Sequence, residues 1–200
     1  MERLTFLDFF TGSGLVTEAM RGTFEAVWAN DIDPRKADVY IANHGKQHFV
    51  PGSVEAVNGA NLPKADVAWA SFPCQDLSLA GPMSGIVEGH RSGLVWQWLR
   101  IISEMPIKPR LLVAENVTGL VSSEEGGHYR LLHRELLAVG YKSGVVQIDA
   151  RHWVPQSRPR VFVISVPIST DVTAFSSEGP GWAHSKAIRK ACQRLPNNVW

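Results

Sequence analysis

Apolar blocks and amphipathic segments take turns along this chain. Residues 4–10 (LTFLDFF) read as a buried strand, 14–22 (GLVTEAMRG) as a short helix and 24–31 (FEAVWAND) as a second strand. Residues 34–45 (PRKADVYIANHG) start with a proline suited to the first helical position and stop at a glycine, the asymmetry expected of a helix. Further strands are predicted over 65–72 (ADVAWASF), 110–116 (RLLVAEN), 143–150 (SGVVQIDA) and 160–166 (RVFVISV). Between them, 92–105 and 128–140 carry apolar residues three and four apart and predict helices. The alternation predicts an α/β, doubly wound, mostly parallel sheet, with ligands held at the carboxyl ends of its strands near the switch in strand order. After Pro167 the pattern dissolves into Ser, Thr, Gly and Pro, a loop or linker over 169–185, before a short basic helix over 186–195.

Composition narrows the class. The 200 residues suffice for one core, and 44% hydrophobic with 20% charged residues is the balance of an ordinary folded protein. Cys74 and Cys192 form no pairing framework, which points to a reducing, cytoplasmic compartment, nucleoid-associated if the source is bacterial. The start has neither the pattern of a signal peptide nor that of a membrane span, and no metal-ligand spacing is present. A formal net charge of +1 gives no argument for nucleic acid, so any such partner must be argued from a site.

Gly12 and Gly14 sit between the first strand and a helix, where a tight turn and unpaired N–H groups suit a nucleotide. Thr17 occupies the place of the third small residue of a dinucleotide fingerprint, which argues against a dehydrogenase. Asp31 ends the second strand, where it could accept from a ribose diol; the simpler alternative is a plain turn with Asp31 capping the next helix. Three other stretches fall at strand ends: FPCQ (72–75), ENV (115–117) and QSRPR (156–160). Cys74 alone reads as a small core residue and Arg158 with Arg160 as a surface pair. Glu115 is harder to place that way, because an apolar strand ending in a carboxylate needs a partner. All three stretches are expected to face one cleft with the glycine turn.

FTGSG, FPCQDLSLAG, ENV and QSRPR follow the order and spacing of the DNA cytosine-5 methyltransferase family, whose catalytic core residues 4 to about 166 resemble. The resemblance implies a Rossmann-like, seven-stranded S-adenosylmethionine-dependent methyltransferase fold with an antiparallel last strand. It implies S-adenosylmethionine as cofactor, S-adenosylhomocysteine as product, and duplex DNA as partner, with no membrane. Cys74 matches the nucleophile that adds to carbon 6 of a flipped cytosine, and its thiol should be acidified. Glu115 matches the group at N3 and the exocyclic amine, protonated for part of the cycle. Arg160 matches an arginine that orients Glu115 or contacts the base, and Arg158 one near the base carbonyl. Phe10, Thr11, Gly12, Gly14, Leu15, Asp31, Ile32, Ser53, Val54 and Pro73 match cofactor contacts, although Ser53 stands where the family often has an aspartate. Gln75, Ser78, Arg91, Asn116 and Gln156 match substrate contacts, and residues 79–91 resemble a mobile catalytic loop.

The same resemblance assigns 1–167 to the catalytic domain and 168–200 to a linker or the start of a missing target-recognition region. A chain cut short, one subunit of a split enzyme and a shortened inactive copy all meet that expectation. The competing functions are an inactive binding module of the same fold and a transfer-RNA methyltransferase.

Overall fold

Strand β1 (Leu4–Phe9) takes up the first apolar block, with Phe6, Leu7 and Phe9 almost fully buried. The structure is a computed structural model that describes residues 3–73, 93–175, 181–193 and 195–197. The chain divides into two compact units, the first holding the described residues up to Phe72 and again from Gly93 to Leu112, the second holding Pro73 and everything described from Val113 onward.

In the first unit β1 pairs in parallel with β2 (Phe24–Asp31) on one side and β4 (Val67–Ala70) on the other, and β2 pairs with β3 (Phe49–Pro51). The order β3-β2-β1-β4 therefore reverses beside β1, and such a switch opens a crevice at the carboxyl ends of the strands. Helix α1 (Leu15–Met20) follows the glycine turn. Helix α2 (Pro34–His44) has the expected stops: Asp33 caps it by accepting from the Arg35 N–H at 2.9 Å, and the Gly45 N–H closes on Ile41 O. Its Tyr40 is buried against Phe49, ring centroids 5.0 Å apart.

Helix α3 (Leu94–Glu104) buries Val95, Trp98, Leu99, Ile101 and Ile102 on one stripe. Its polar edge is used as well. Arg100 pairs with Glu104 at 2.7 Å and donates to Val57 O at 3.0 Å, while Glu104 accepts the Gly59 N–H at 2.8 Å. That N–H first, and Arg100 second, hold the Glu104 pKa below its ordinary value. Gly59 lies so close to α3 that a β-carbon there would run into the Ile101 carbonyl and sit 2.8 Å from Glu104 Cβ.

The second unit is built on β6 (Tyr141–Asp149) and β7 (Pro159–Pro167), antiparallel along their length. It also contains the last four residues of β5 (Leu111–Asn116), α4 (Gly119–Ser122), α5 (Gly127–Ala138) and α6 (Lys186–Cys192). His133 of α5 lies 2.6 Å from Pro196 O and 2.7 Å from Ser143 Oγ. A carbonyl can only accept, so Nε2 carries the proton and Nδ1 accepts from Ser143. Burial lowers the His133 pKa, in keeping with a neutral ring. The end of the stretch whose composition predicts a linker packs here, Ala183 being buried with its carbonyl accepting the Gln147 N–H at 2.9 Å, and the basic helix predicted after it forms as α6, with Ile188 and Ala191 buried.

Along the sheet the order is β3-β2-β1-β4-β5-β7-β6, mostly parallel with an antiparallel last pair, the α/β class the sequence predicts. Strand β3 and helix α4 lie outside the predicted elements, being three and four residues long and too short for periodicity to register. No helix among the described residues is long and apolar enough to cross a membrane.

Gly59→Ala is expected to destabilise the fold by about 1–3 kcal/mol, because the backbone of α3 must move to admit one methyl group. Urea unfolding reads this as a lower midpoint; an unchanged midpoint contradicts the close approach.

Candidate active site

At the end of β1 the backbone turns left-handed at Phe10 (φ 57°) and Gly12 (φ 58°), and Gly14 (φ 89°) leads into α1. A non-glycine residue held in that region is strained, and Phe10 is fixed there by its surroundings. Thr11 N–H donates to Asn30 O at 3.0 Å, which ties the turn to β2. Asp31 does more: Oδ2 accepts the Gly12 N–H at 2.8 Å and Oδ1 accepts the Asp33 N–H at 2.9 Å. One carboxylate thus joins the turn after β1 to the start of α2, and each oxygen keeps a second lone pair.

The turn leaves room for a ligand. A β-carbon at Gly12 would meet no atom within 4 Å, whereas one at Gly14 would lie 2.6 Å from the His44 ring and 2.8 Å from Tyr40. Leu15 and Ile32 are apolar and exposed, at 80% and 71%. The carboxylate acceptors, the open space over Gly12 and the two apolar side chains fit a ribose diol with a purine beside it. Ser53 is engaged elsewhere, since its hydroxyl caps a helical turn by accepting from the Glu55 N–H at 3.2 Å and lies 3.3 Å from Glu55 Oε2. Val54 is buried, so the carboxylate next to Ser53 is that of Glu55, a residue sequence reading did not single out.

A buried chain of polar groups supports this turn, and it too went unseen in the sequence. Asp8 Oδ2 accepts from Thr11 Oγ1 at 2.5 Å and from Thr17 Oγ1 at 2.9 Å; Tyr40 OH lies 3.1 Å from Thr17 Oγ1 and 2.8 Å from His48 Nε2. With Asp8 ionised, the single Thr17 proton goes to the carboxylate, so Tyr40 donates to Thr17 and His48 Nε2–H donates to Tyr40. Each donor polarises the next. Asp8 Oδ1 is buried without a hydrogen-bond partner among the described residues. Burial pushes the Asp8 pKa up to about 6, the two hydroxyls opposing it and Asp31 adding to it. Thr17, an obstacle to a dinucleotide fingerprint, is explained as the bridge from Asp8 to α2.

In the second unit Arg160 Nε lies 3.0 Å from Glu115 Oε1, both side chains less than a quarter exposed. Arg160 Nη1 also donates to Pro159 O at 2.8 Å, so its guanidinium is held from two sides. The carboxylate that ends β5 has a cation as its partner. Asn116 beside it is buried, and its Oδ1 accepts the Val117 N–H at 2.9 Å as the chain leaves the strand. Asp149 organises the approach to β7: it accepts from the N–H groups of Arg151 (3.1 Å) and Arg158 (2.8 Å) and from Ser157 Oγ (3.0 Å), and pairs with Arg151. Partial desolvation works to raise the Asp149 pKa, but those hydrogen bonds and Arg151 outweigh it and lower it. Gln156 and Arg158 are exposed on this loop. Pro73 is exposed; Cys74, Gln75, Ser78, Arg91 and the glycine-rich stretch over 79–91 lie outside the described residues.

The strand order with its reversal beside β1, and the glycine turn that follows β1, define a Rossmann-like doubly wound sheet. Two solved structures share the fold: the S. pombe Dnmt2 methyltransferase, with a TM-score of 0.65 at 20% identity over 84% of this chain and 50% of that one, and the Entamoeba histolytica methyltransferase EhMeth, at 0.66 and 17% over 86% and 56%. A profile of the C-5 cytosine-specific DNA methylases matches residues 4–198, and the chain belongs to that family. Type II methyltransferase M.BsuFI of Bacillus subtilis is 28% identical over 87% of this chain and 42% of its own length; M2.ScrFI of Lactococcus lactis subsp. cremoris is 37% identical over 64% and 36%. The chain thus spans roughly a third to a half of the curated relatives it matches. Family and fold imply S-adenosylmethionine as methyl donor, and the groups around Asp31, Gly12, Leu15 and Ile32 fit its nucleoside.

Asp8 supplies a pH test. Its folded pKa lies above the unfolded value of 3.8, so the folded state binds the proton more tightly, and the stability Asp8 contributes falls as pH rises from about 4 to about 6. Asp8→Asn keeps an acceptor for both hydroxyls and removes that slope. Urea unfolding across pH is expected to show the variant gaining on the wild type by about 2–3 kcal/mol between pH 4 and pH 7; parallel curves contradict a buried, proton-binding Asp8.

Proposed function

We propose that this chain is the catalytic part, over residues 1–167, of an enzyme that methylates carbon 5 of cytosine in duplex DNA through a covalent cysteine adduct. The observation that carries the reading is the Arg160–Glu115 pair, a carboxylate fixed by a two-point guanidinium at the end of an apolar strand in a chain of this family. In this reading Cys74 Sγ adds to carbon 6 of a flipped cytosine while N3 takes a proton or hydrogen bond from Glu115, which leaves carbon 5 electron-rich. S-adenosylmethionine, when bound, supplies the electrophilic methyl group. The proton on carbon 5 then leaves to a base, the Sγ–carbon 6 bond breaks, and the double bond re-forms.

Arg160 orients Glu115 and Arg158 faces the base carbonyl. Asp31 holds the ribose, with Phe10, Thr11, Gly12, Gly14, Leu15, Ile32, Ser53, Val54 and Pro73 around the rest of the donor. Gln75, Ser78, Arg91, Asn116 and Gln156 contact the substrate. Reading of the target sequence falls to a further segment or a second chain, since the matched relatives are about twice as long.

Covalent trapping is the test. Duplex DNA carrying 5-fluorocytosine, incubated with the full natural polypeptide and S-adenosylmethionine, is expected to give a denaturant-resistant adduct at Cys74, absent from Cys74→Ala. Arg160→Lys loses the planar fork and is expected to slow adduct formation at least tenfold. A wild-type protein that binds DNA and methyl donor yet forms no adduct favours the inactive binding module instead.

A further inference from the structure

The second unit carries an aromatic and basic surface that nothing in the chemistry above uses. Trp153 and Trp182 are 67% and 52% exposed, and the His152 ring contacts both, with centroids 5.7 Å from Trp153 edge to face and 4.8 Å from Trp182. Two neighbouring exposed indoles cost solvation free energy unless something covers them. They come from the loop before β7 and the turn before α6, which the Gln147–Ala183 hydrogen bond also holds together.

Charge says what covers them. Residues 150–160 and 181–193 together hold six Arg and Lys and no Asp or Glu, in a chain whose formal net charge is +1. Asp149, Glu115 and Glu125 pair with Arg151, Arg160 and Lys190. Apart from Arg158, which the catalytic reading already uses, Lys186 and Arg189 have no carboxylate partner among the described residues, and both are exposed. The Arg189 guanidinium lies over the turn that carries Trp182, donating to His184 O at 3.2 Å and reaching within 3.9 Å of a β-carbon built on Gly181.

We infer that Trp153, Trp182, Lys186 and Arg189 form a second DNA contact, in which the cations take backbone phosphates and the indoles pack on sugars and unstacked bases beside the target cytosine. The inference rests on DNA being the substrate. A protein partner would also favour Trp and Arg, but two uncompensated cations, Lys186 and Arg189, beside the indoles and no acid in either segment match a polyanion better.

Fluorescence anisotropy of labelled duplex DNA with the full polypeptide tests it, with covalent trapping on 5-fluorocytosine run in parallel. Lys186→Ala with Arg189→Ala is expected to reduce the slope of log affinity against log salt by about two. Trp153→Ala with Trp182→Ala is expected to weaken binding at least tenfold at constant salt, with most of it restored by Phe at both positions, which keeps the ring and controls for misfolding. Unchanged affinity and salt slope in both variants, with adduct formation intact, overturn the contact and leave the catalytic reading standing. Lost affinity in the variants of a protein that forms no adduct supports the contact while the catalytic reading fails. Loss of a protein partner with DNA affinity unchanged also overturns it.

Discussion

A carboxylate at the end of β2 holds two backbone segments at once. Asp31 accepts the Gly12 N–H from the turn after β1 and the Asp33 N–H at the entry to α2. Because β1 is also where the strand order reverses, the clamp sits at the mouth of the crevice that such sheets open. The left-handed residues of the turn tolerate their conformation only while something fixes both ends, and Asp31 with the Thr11–Asn30 hydrogen bond does so.

Behind the turn, the row from His48 through Tyr40 and Thr17 to Asp8 gives it a rigid backing. All four donors and acceptors point one way when Asp8 is ionised, and that direction is set by hydrogen-bond capacity rather than by charge alone. The second unit uses the same device twice, on exposed ground and half-buried ground. Asp149 gathers both ends of the loop that presents Gln156 and Arg158, and Arg160 holds Glu115 while its own guanidinium is pinned to Pro159 O. Both units thus rely on carboxylates at strand ends to shape the loops that follow.

Elements with a strong local signature were legible in the sequence. Proline and glycine bracket α2, the apolar spacing of 92–105 gives α3, and the apolar runs give six of the strands, within about two residues of where they lie. Within the candidate site, Gly12, Asp31 and Glu115 stood out because a glycine pair at a strand end and an acid closing a strand are local facts. Tyr40 and His48 did not, since their roles depend on partners eight to twenty-three positions away that no periodicity reveals, and neither did Asp149, which joins Arg151 to Ser157 and Arg158 eight and nine positions on. The packing of 181–193 was hidden for a related reason: a few buried side chains amid Gly, Ser and polar residues suffice once β6 offers a partner.

The most direct measurement is calorimetric binding of S-adenosylhomocysteine to this chain and to Gly12→Ala. The β-carbon meets no protein atom, so the variant keeps its fold at a backbone cost of about 1 kcal/mol and fills only the space the ligand would use. One-to-one binding by the wild type and at least tenfold weaker binding by a folded variant are expected. Equal affinity in the two proteins, or no binding to a folded wild type, contradicts a methyl-donor cradle at this turn.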